Sequence, residues 1–410
     1  MSLNVSSEAE KLSARLGVNV YTANANISNT PNNDLGIVCF QMPVKVVGLY
    51  TKNRHPAAPV VISKRNLNAH VQPGKLAILV NSGCANACTG KRGIDVCKKT
   101  VDYLANKLEL KPSSVFPSST GEILKFLSAE RMLRGIDLAL ENKSSWIDFA
   151  SAIMTTDTKK KLSLQKIELE GETYSVFGVA KGSGMISPNM ATMLAYIFTD
   201  LNIELKSFNK LVSECCNKTF NTISVDGETS TNDSILAICS AADQRKDNQI
   251  FDSKSKFWKS IQNTFESVCL DLSEQIISDG EGASKVIKLR VKGAPSYREA
   301  DNVARGVGNS PLVKTAFFAE DPNFGRILSA IGANASAVYD PNEVSVSLDG
   351  YVVIEKGVVH DQYNEKISQS IMRKDVIDLE IVLGCGESES SIIFCDLSYD
   401  YVKINSEYRT

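Results

Sequence analysis

Short apolar runs alternate along the chain with segments whose apolar residues recur at helical spacing. The run 76–80 has the length of a buried strand, and residues 93–110 behind it repeat apolar side chains every three or four positions. Two alternating stretches flank Gly171 and predict a β-hairpin. The apolar run 193–198 predicts another buried strand. Strands and helices that alternate in this way predict an α/β protein.

The remaining pattern predicts covering helices and a second lobe. Four further segments have helical periodicity, namely residues 129–141, 146–154, 205–220 and 253–277. A shift in composition near Ser284 opens a smaller C-terminal α/β lobe, residues 284–410. Its strand-like runs are 286–291, 344–348, 351–355, 380–383 and 391–397, with Asp349-Gly350 as a hairpin signal and mostly helical residues at 297–332.

The net charge of the chain and the length of its apolar runs bear on its expected partners and cellular compartment. Lys and Arg number 45 against 47 Asp and Glu in 410 residues, which leaves a formal net charge of -2. This balance favours neither nucleic acid nor an anionic membrane as a partner. No apolar run approaches the roughly 18 residues that span a bilayer, and the first 20 residues have no signal-like apolar stretch. We therefore expect a cytoplasmic protein.

Cysteine and histidine usage argues against a metal or disulfide framework. The ten cysteines contain no C-x-x-C pair, and Cys84 and Cys88 are the nearest approach to a ligand pair. None of the three histidines lies in a stretch rich in Gly, Ser, Thr or Asn. The sequence therefore predicts no metal site and supports a Ser-His-Asp triad poorly.

The most informative stretch joins a flexible segment to a core strand. Residues 180–192 are small, flexible or turn-forming, and they run directly into the predicted strand 193–198. Thr192 therefore stands at the mouth of a buried strand, a position that suits a nucleophile. A threonine needs no histidine if the bond before it is cut, because its freed α-amino group can act as the base. We hypothesise that the chain cuts itself between Ala191 and Thr192.

At this point the residues resemble a known family. Residues 181–186 (KGSGMI) followed by 188–194 (PNMATML) resemble the self-cleavage motif of the ornithine acetyltransferase family, the bifunctional ArgJ proteins of arginine biosynthesis. Other family-like segments are 81–83 (NSG), 119–121 (STG), 155–158 (TTDT), 225–233 (VDGETSTND), 279–283 (DGEGA), 321–328 (DPNFGRIL) and 401–405 (YVKIN). The resemblance covers most of the chain from about Pro56 to Thr410.

The resemblance implies a fold, a processing event and a reaction. The expected fold is N-terminal-nucleophile-hydrolase-like, with packed β-sheets flanked by helices. Cleavage would leave an α chain, residues 1–191, and a β chain, residues 192–410, assembled as a heterotetramer. Thr192 would carry acetyl from N2-acetylornithine to glutamate, giving N-acetylglutamate and ornithine, with no cofactor. The sequence leaves open whether acetyl-CoA is a second donor.

Two segments have a composition suited to catalysis or binding. Thr120-Gly121 offers a hydroxyl and a closely approachable backbone N–H, the composition of an oxyanion hole, although such a sequence is also typical of a loop before a helix. The family resemblance assigns the oxyanion role to Thr120 and Gly121. Lys181 lies among glycines without the spacing of a nucleotide-binding loop, and it is better interpreted as facing the carboxylate of an amino acid.

The resemblance also implies substrate contacts for Thr155, Glu281, Asn405 and Thr410. Glu281 would bind an ammonium group of ornithine, whereas the last residues alone would be interpreted as a frayed terminus. Residues 225–233 are dense in Asp, Thr, Ser and Asn and predict a rigid hydrogen-bonded loop near the substrate.

The sequence departs from the family pattern at two places, and two rival functions remain. Cys84 stands where the family commonly has asparagine, and residues 1–55 lack the usual Gly- and Ala-rich opening. One rival is an amidohydrolase or aminopeptidase on the same scaffold, in which water accepts the acyl group. The other is an uncleaved binding protein without catalytic activity.

Overall fold

The computed structural model describes residues 2–187, 193–242, 249–336 and 339–407. Its helices in these ranges are α1 (Ser2–Leu16), α2 (Ala58–Ala69), α3 (Gly90–Lys107), α4 (Ala129–Glu141), α5 (Trp146–Ala152), α6 (Leu205–Lys218), α7 (Trp258–Ser278), α8 (Tyr297–Gly308), α9 (Pro311–Phe318), α10 (Phe324–Asn334), α11 (Glu365–Met372) and α12 (Tyr399–Glu407). Its strands are β1 (Val18–Ala23), β2 (Leu35–Tyr50), β3 (Gly74–Asn81), β4 (Val115–Ser119), β5 (Lys161–Leu169), β6 (Glu172–Lys181), β7 (Leu194–Thr199), β8 (Ile223–Ser224), β9 (Ser234–Ser240), β10 (Val286–Ala294), β11 (Ser345–Leu348), β12 (Tyr351–Glu355), β13 (Val358–Val359), β14 (Val376–Val382) and β15 (Ser388–Cys395).

The first sheet has eight strands and is organised around β2. Its order is β4-β3-β2-β9-β7-β6-β5, with β1 also paired to β2. Residues 35–40 of β2 pair with β1 and β3, whereas residues 44–50 pair with β9, and the register with β3 shifts between Phe40 and Val44. The long strand therefore joins two halves of one sheet.

The two halves pack face to face over an aromatic core. One buried cluster contains Phe40 and Phe116 from the β1–β4 half together with Phe177 and Phe198 from the other. The ring centroids of Phe40 and Phe198 lie 5.9 Å apart, and that of Trp146 lies 4.9 Å from Phe198. Burial of such large rings is a main source of core stability. The first unit is thus a β-sandwich whose two halves bury their inward faces against each other.

Helices cover the outer faces, and α7 connects the sandwich to the second sheet. Helices α3 and α4 pack on the β1–β4 half, and α6 and α7 on the other half. The core beneath α7 also contains Val286 and Ile393 of the second sheet. That sheet has the order β13-β12-β11-β14-β10-β15-β8, and helices α8 to α11 contribute to its core.

The predicted fold class, an α/β protein with packed sheets flanked by helices and a C-terminal α/β lobe, is confirmed. Helix α4 and the hairpin of β5 and β6 lie where the pattern predicts them. The sequence analysis assigned no element to the long strand β2, although residues 35–40 form an apolar run like 76–80 and are all buried. None of the helices in the described ranges is long and apolar enough to cross a membrane.

Candidate active site

A pocket opens where the two halves of the sandwich meet. Its cavity volume is about 60 Å³. Thr120 enters it directly after β4, Lys181 as the last residue of β6, and Leu194 as the first residue of β7. The other lining residues are Ala85, Gly121, Ile123, Thr155, Thr156, Gly182, Gly184, Met185, Met193, Ser230, Thr231, Asn232, Asp233 and Glu281. Their position at strand ends holds Thr120, Lys181 and Leu194 on a rigid frame.

Lys181 brings two threonines together on one wall. Its Nζ donates to Thr120 Oγ1 at 3.0 Å and to Thr155 Oγ1 at 2.9 Å. The lysine is only 8% exposed, and Asp157 Oδ2 lies 3.8 Å from its Nζ. Burial lowers the pKa of Lys181, and the carboxylate of Asp157 opposes that shift. We call Thr120, Gly121, Thr155 and Lys181 the cationic wall.

A buried ion network supports the cationic wall from behind. Lys161 Nζ donates to Asp157 Oδ1 at 2.7 Å and to Asp279 Oδ2 at 2.6 Å, and all three side chains are buried. Asp157 also accepts from the backbone N–H groups of Gly182 at 2.7 Å and Thr155 at 3.1 Å. Burial raises the pKa of Asp157, but the charges of Lys181 and Lys161 outweigh it and hold that pKa at about 2. The network therefore ties three separate segments to one charged centre.

Gly121 has a conformation and a contact that only glycine allows. Its φ is +123°, and a Cβ there would lie 2.5 Å from the carbonyl carbon of Gly83. Its N–H makes no hydrogen bond within the described ranges, whereas the N–H of Thr120 donates to Asn81 O at 2.9 Å. A free N–H beside the Thr120 hydroxyl has the composition required to bind an oxyanion.

Another part of the pocket lining is negative and is contacted by helix α12. Glu281 is 5% exposed, and its Oε2 accepts from Asn405 Nδ2 of α12 at 2.8 Å. A Cβ on Gly184 would lie 2.3 Å from the carboxyl carbon of Glu281, so the carboxylate rests directly against the glycine backbone. Helix α12 buries none of its residues. We call Glu281, Gly184 and Asn405 the anionic wall.

The polar segment 225–233 lies beside the pocket as a hydrogen-bonded loop. Asn232 Nδ2 donates to the carbonyl oxygens of Ala85 at 2.6 Å and Ser119 at 2.8 Å. Asp226 accepts from the N–H groups of Met185 at 2.6 Å and Ile186 at 2.9 Å. The loop therefore connects the segment that ends at Gly121 to the segment that leads toward Thr192.

The hypothesised cleavage junction, Ala191 and Thr192, lies outside the described residues, as does Thr410. Met193, which follows Thr192 in the sequence, lines the pocket and is buried. Lys181 pairs with Leu194 across β6 and β7. The pocket is thus adjacent in the chain to the residue that we regard as the nucleophile.

Sequence reasoning missed the residues behind the walls. Lys161 and Asp279 were assigned no role, although Lys161 occupies an inward position of β5 in register with Ser163, a signal that alternation could have supplied. Cys84 is buried, its thiol donates to Lys125 O at 3.3 Å, and burial raises its pKa. The cysteine therefore makes one weak hydrogen bond at this position.

No group of three or more His, Cys, Asp or Glu side chains suited to a metal ion occurs among the residues with described positions. The fold and the pocket together define a class, namely an α/β protein that holds a buried ammonium and a buried carboxylate in the lining of one small pocket. Such a pair of opposite charges matches a small zwitterionic ligand.

Comparisons with known proteins identify the family. The model of the ArgJ family matches residues 19–410. The arginine biosynthesis bifunctional protein ArgJ of Colwellia psychrerythraea is 40% identical over 409 residues, covering 96% of each chain. That of Desulfotalea psychrophila is 40% identical, covering 92% of this chain and 95% of its own. The chain belongs to the ArgJ family.

Two solved structures are similar to parts of this chain. A crystal structure of the arginine biosynthesis bifunctional protein ArgJ from Bacillus halodurans is 32% identical and covers 53% of this chain and all of its own, with a TM-score of 0.49. The structure of ornithine acetyltransferase from Mycobacterium tuberculosis, complexed with ornithine, is 29% identical. It covers 44% of this chain and 95% of its own, with a TM-score of 0.38.

Proposed function

We propose that this protein is an acetyltransferase of arginine biosynthesis that moves acetyl from N2-acetylornithine to glutamate. The observation that carries the proposal is that Lys181 and Glu281 line one pocket that Met193 also lines. Membership of the ArgJ family and the names of its relatives supply the reaction. The buried ammonium suits the carboxylate that both substrates share, and the buried carboxylate suits the side-chain ammonium of ornithine.

The proposed cycle begins with the chain itself. Thr192 Oγ attacks the carbonyl carbon of Ala191, and hydrolysis of the resulting ester leaves chains of residues 1–191 and 192–410. The freed α-amine of Thr192 has an ordinary pKa of about 8, close enough to neutrality for proton transfer. Two α and two β chains form the assembly in this proposal, and the reaction belongs to the cytoplasm.

Acetyl transfer then proceeds by two balanced steps. Thr192 Oγ loses its proton to the α-amine and attacks the acetyl carbonyl, and the Thr120 hydroxyl and Gly121 N–H bind the resulting oxyanion. The C–N bond breaks, the ornithine nitrogen takes the proton, and an acetyl-threonine ester remains. The amine of glutamate attacks this ester, releasing N-acetylglutamate and restoring Thr192. Lys181 retains an N–H beyond its two threonine contacts for the substrate carboxylate.

The first test combines intact mass with an assay of both products. Purified protein is expected to run as two chains under denaturing conditions, the second beginning at Thr192, and to form N-acetylglutamate and ornithine in equal amounts. Thr192→Ala is expected to abolish cleavage and transfer together. Retention of both by Thr192→Ala would refute the proposal.

The same assay separates the alternatives. Acetyl release that ignores added glutamate would identify an amidohydrolase, and an intact, unreactive chain would identify a binding protein. Acetyl-CoA offered in place of N2-acetylornithine tests the second donor, which we include in the proposal because the relatives are named bifunctional. Formation of N-acetylglutamate from acetyl-CoA would support it.

A further inference from the structure

The two hydrogen bonds of Lys181 carry information about hydrogens on the threonines. A lysine ammonium has three N–H donors and no acceptor. Its Nζ lies 3.0 Å from Thr120 Oγ1 and 2.9 Å from Thr155 Oγ1, so each hydroxyl oxygen accepts one of these bonds. A hydroxyl that accepts from the lysine must direct its own hydrogen elsewhere.

We infer that Lys181 is a positioning residue that fixes the hydroxyls of Thr120 and Thr155 as hydrogen-bond donors toward the pocket. Both threonines line the pocket, so this is the open direction for the hydrogens that Lys181 turns away. The kinetic part of this inference rests on the proposed function, because it assigns the Thr120 hydroxyl to the oxyanion.

Burial lowers the pKa of Lys181, and the carboxylate of Asp157 opposes this shift and favours the ammonium form that the inference requires. Asp157 is buried, and its Oδ2 lies 3.8 Å from Lys181 Nζ and 3.1 Å from the N–H of Thr155. Lys161 Nζ donates to the other carboxylate oxygen of Asp157, Oδ1, and so holds this carboxylate in place. A neutral amine has a single lone pair, and even then it could accept from only one of the two hydroxyls.

The arrangement also explains why a threonine can replace a backbone N–H in this role. A hydroxyl rotates freely unless a neighbour determines its direction, and a rotating donor must be reoriented as charge develops. An ammonium on one side of the oxygen removes that freedom before the substrate arrives. Preorganised donors of this kind stabilise an oxyanion more than donors that must turn.

Neutron diffraction from deuterium-exchanged crystals tests the inference without any reaction. We expect three deuterons on Lys181 Nζ, and on Thr120 and Thr155 a deuteron directed away from Nζ. A deuteron on the line from either hydroxyl oxygen to Nζ would overturn the inference. This measurement decides the matter even if the protein does not transfer acetyl.

A double-mutant cycle tests the consequence for catalysis. We expect Lys181→Met to lower kcat about 10- to 100-fold, the range for loss of a hydrogen bond to a charged group, and to raise KM through the lost carboxylate contact. In a Thr120→Val background the kcat loss from Lys181→Met should fall below about threefold, because coupled residues are not additive. The KM effect should remain.

Three controls keep the cycle interpretable. Rates are expressed per cleaved chain from intact mass, and thermal melting verifies folding of each variant. Lys181→Arg, which also has donors and no acceptor, should recover part of kcat relative to Lys181→Met. Multiplicative kcat losses in the double variant would overturn the inference, whereas an inactive wild-type protein would refute only the proposed function.

Discussion

The two walls of the pocket are built in different ways. The cationic wall stands on strand ends and on the buried Lys161 network, which joins Asp157 to Asp279. The anionic wall depends on Glu281, which is held from the exposed helix α12 by one side-chain hydrogen bond from Asn405. A wall inside the core resists movement more than one completed by a surface helix. We therefore expect changes in the cationic wall to lower kcat, and to raise KM as well where the carboxylate contact of Lys181 is lost, whereas changes in the anionic wall should mainly raise KM.

Removing the centre of the ion network should produce the largest effect. Lys161→Met leaves Asp157 and Asp279 buried without their shared cation, and we expect the free energy of unfolding to fall by about 3–5 kcal/mol. Chemical denaturation measures this change. Lys288→Met is the control, because its pair with Glu274 is 38% exposed on each side and should contribute less than about 1 kcal/mol. Equal losses in the two variants would show that the network does not stabilise the wall.

The second largest effect is expected from a methyl group added at Gly121. Gly121→Ala places a methyl group 2.5 Å from the carbonyl carbon of Gly83, so the loop must shift and kcat should fall about 100-fold. Gly171→Ala is the matched control, with a φ of +83° and no atom within 4 Å of the added carbon. It should lose about 1 kcal/mol of stability through backbone strain and keep its activity. Steady-state kinetics measure kcat for both variants. Equal losses of kcat in the two variants would refute the oxyanion role of Gly121.

Crowding the other wall should change affinity instead. Gly184→Ala places a methyl group 2.3 Å from the Glu281 carboxyl carbon, which displaces the carboxylate. We expect KM for N2-acetylornithine to rise about 10-fold, the loss of one charged contact, with little change in kcat. Gly325→Ala, where the nearest atom lies at 3.6 Å, should leave both constants unchanged. A loss confined to kcat would contradict the division between the walls.

The smallest effect is expected at the surface. Asn405→Ala removes the part-buried 2.8 Å hydrogen bond to Glu281, and KM should rise only about two- to fivefold because the carboxylate that contacts the substrate is kept. Asn342→Ala serves as control, since Asn342 also donates to a carboxylate, that of Asp340, far from the pocket. If KM rose more in the Asn405 variant than in the Gly184 variant, helix α12 would contribute more to substrate affinity than this comparison allows.

Several parts of the molecule follow from local sequence. Helix α4 begins and ends at the residues that its periodicity predicts, because Ser128 caps it and one face is buried. The hairpin of β5 and β6 follows from alternation around Gly171. The chemistry of Thr120-Gly121 and of Lys181 could be suspected from residue type and from the family resemblance. Contacts among these residues could not.

Periodicity and turn chemistry act over a few residues, and they were sufficient to predict the α/β class, most elements and the kinds of groups available for catalysis. The contact of Lys181 with Thr120, 61 positions away, and that of Lys161 with Asp279, 118 positions away, arise only when the chain folds. Folding of the first sheet over β2 brings the ends of β4 and β6 together, and no local pattern shows that the two parts of β2 pair with different strands. Long-range pairing decides which charges share a pocket, and local pattern carries no record of it.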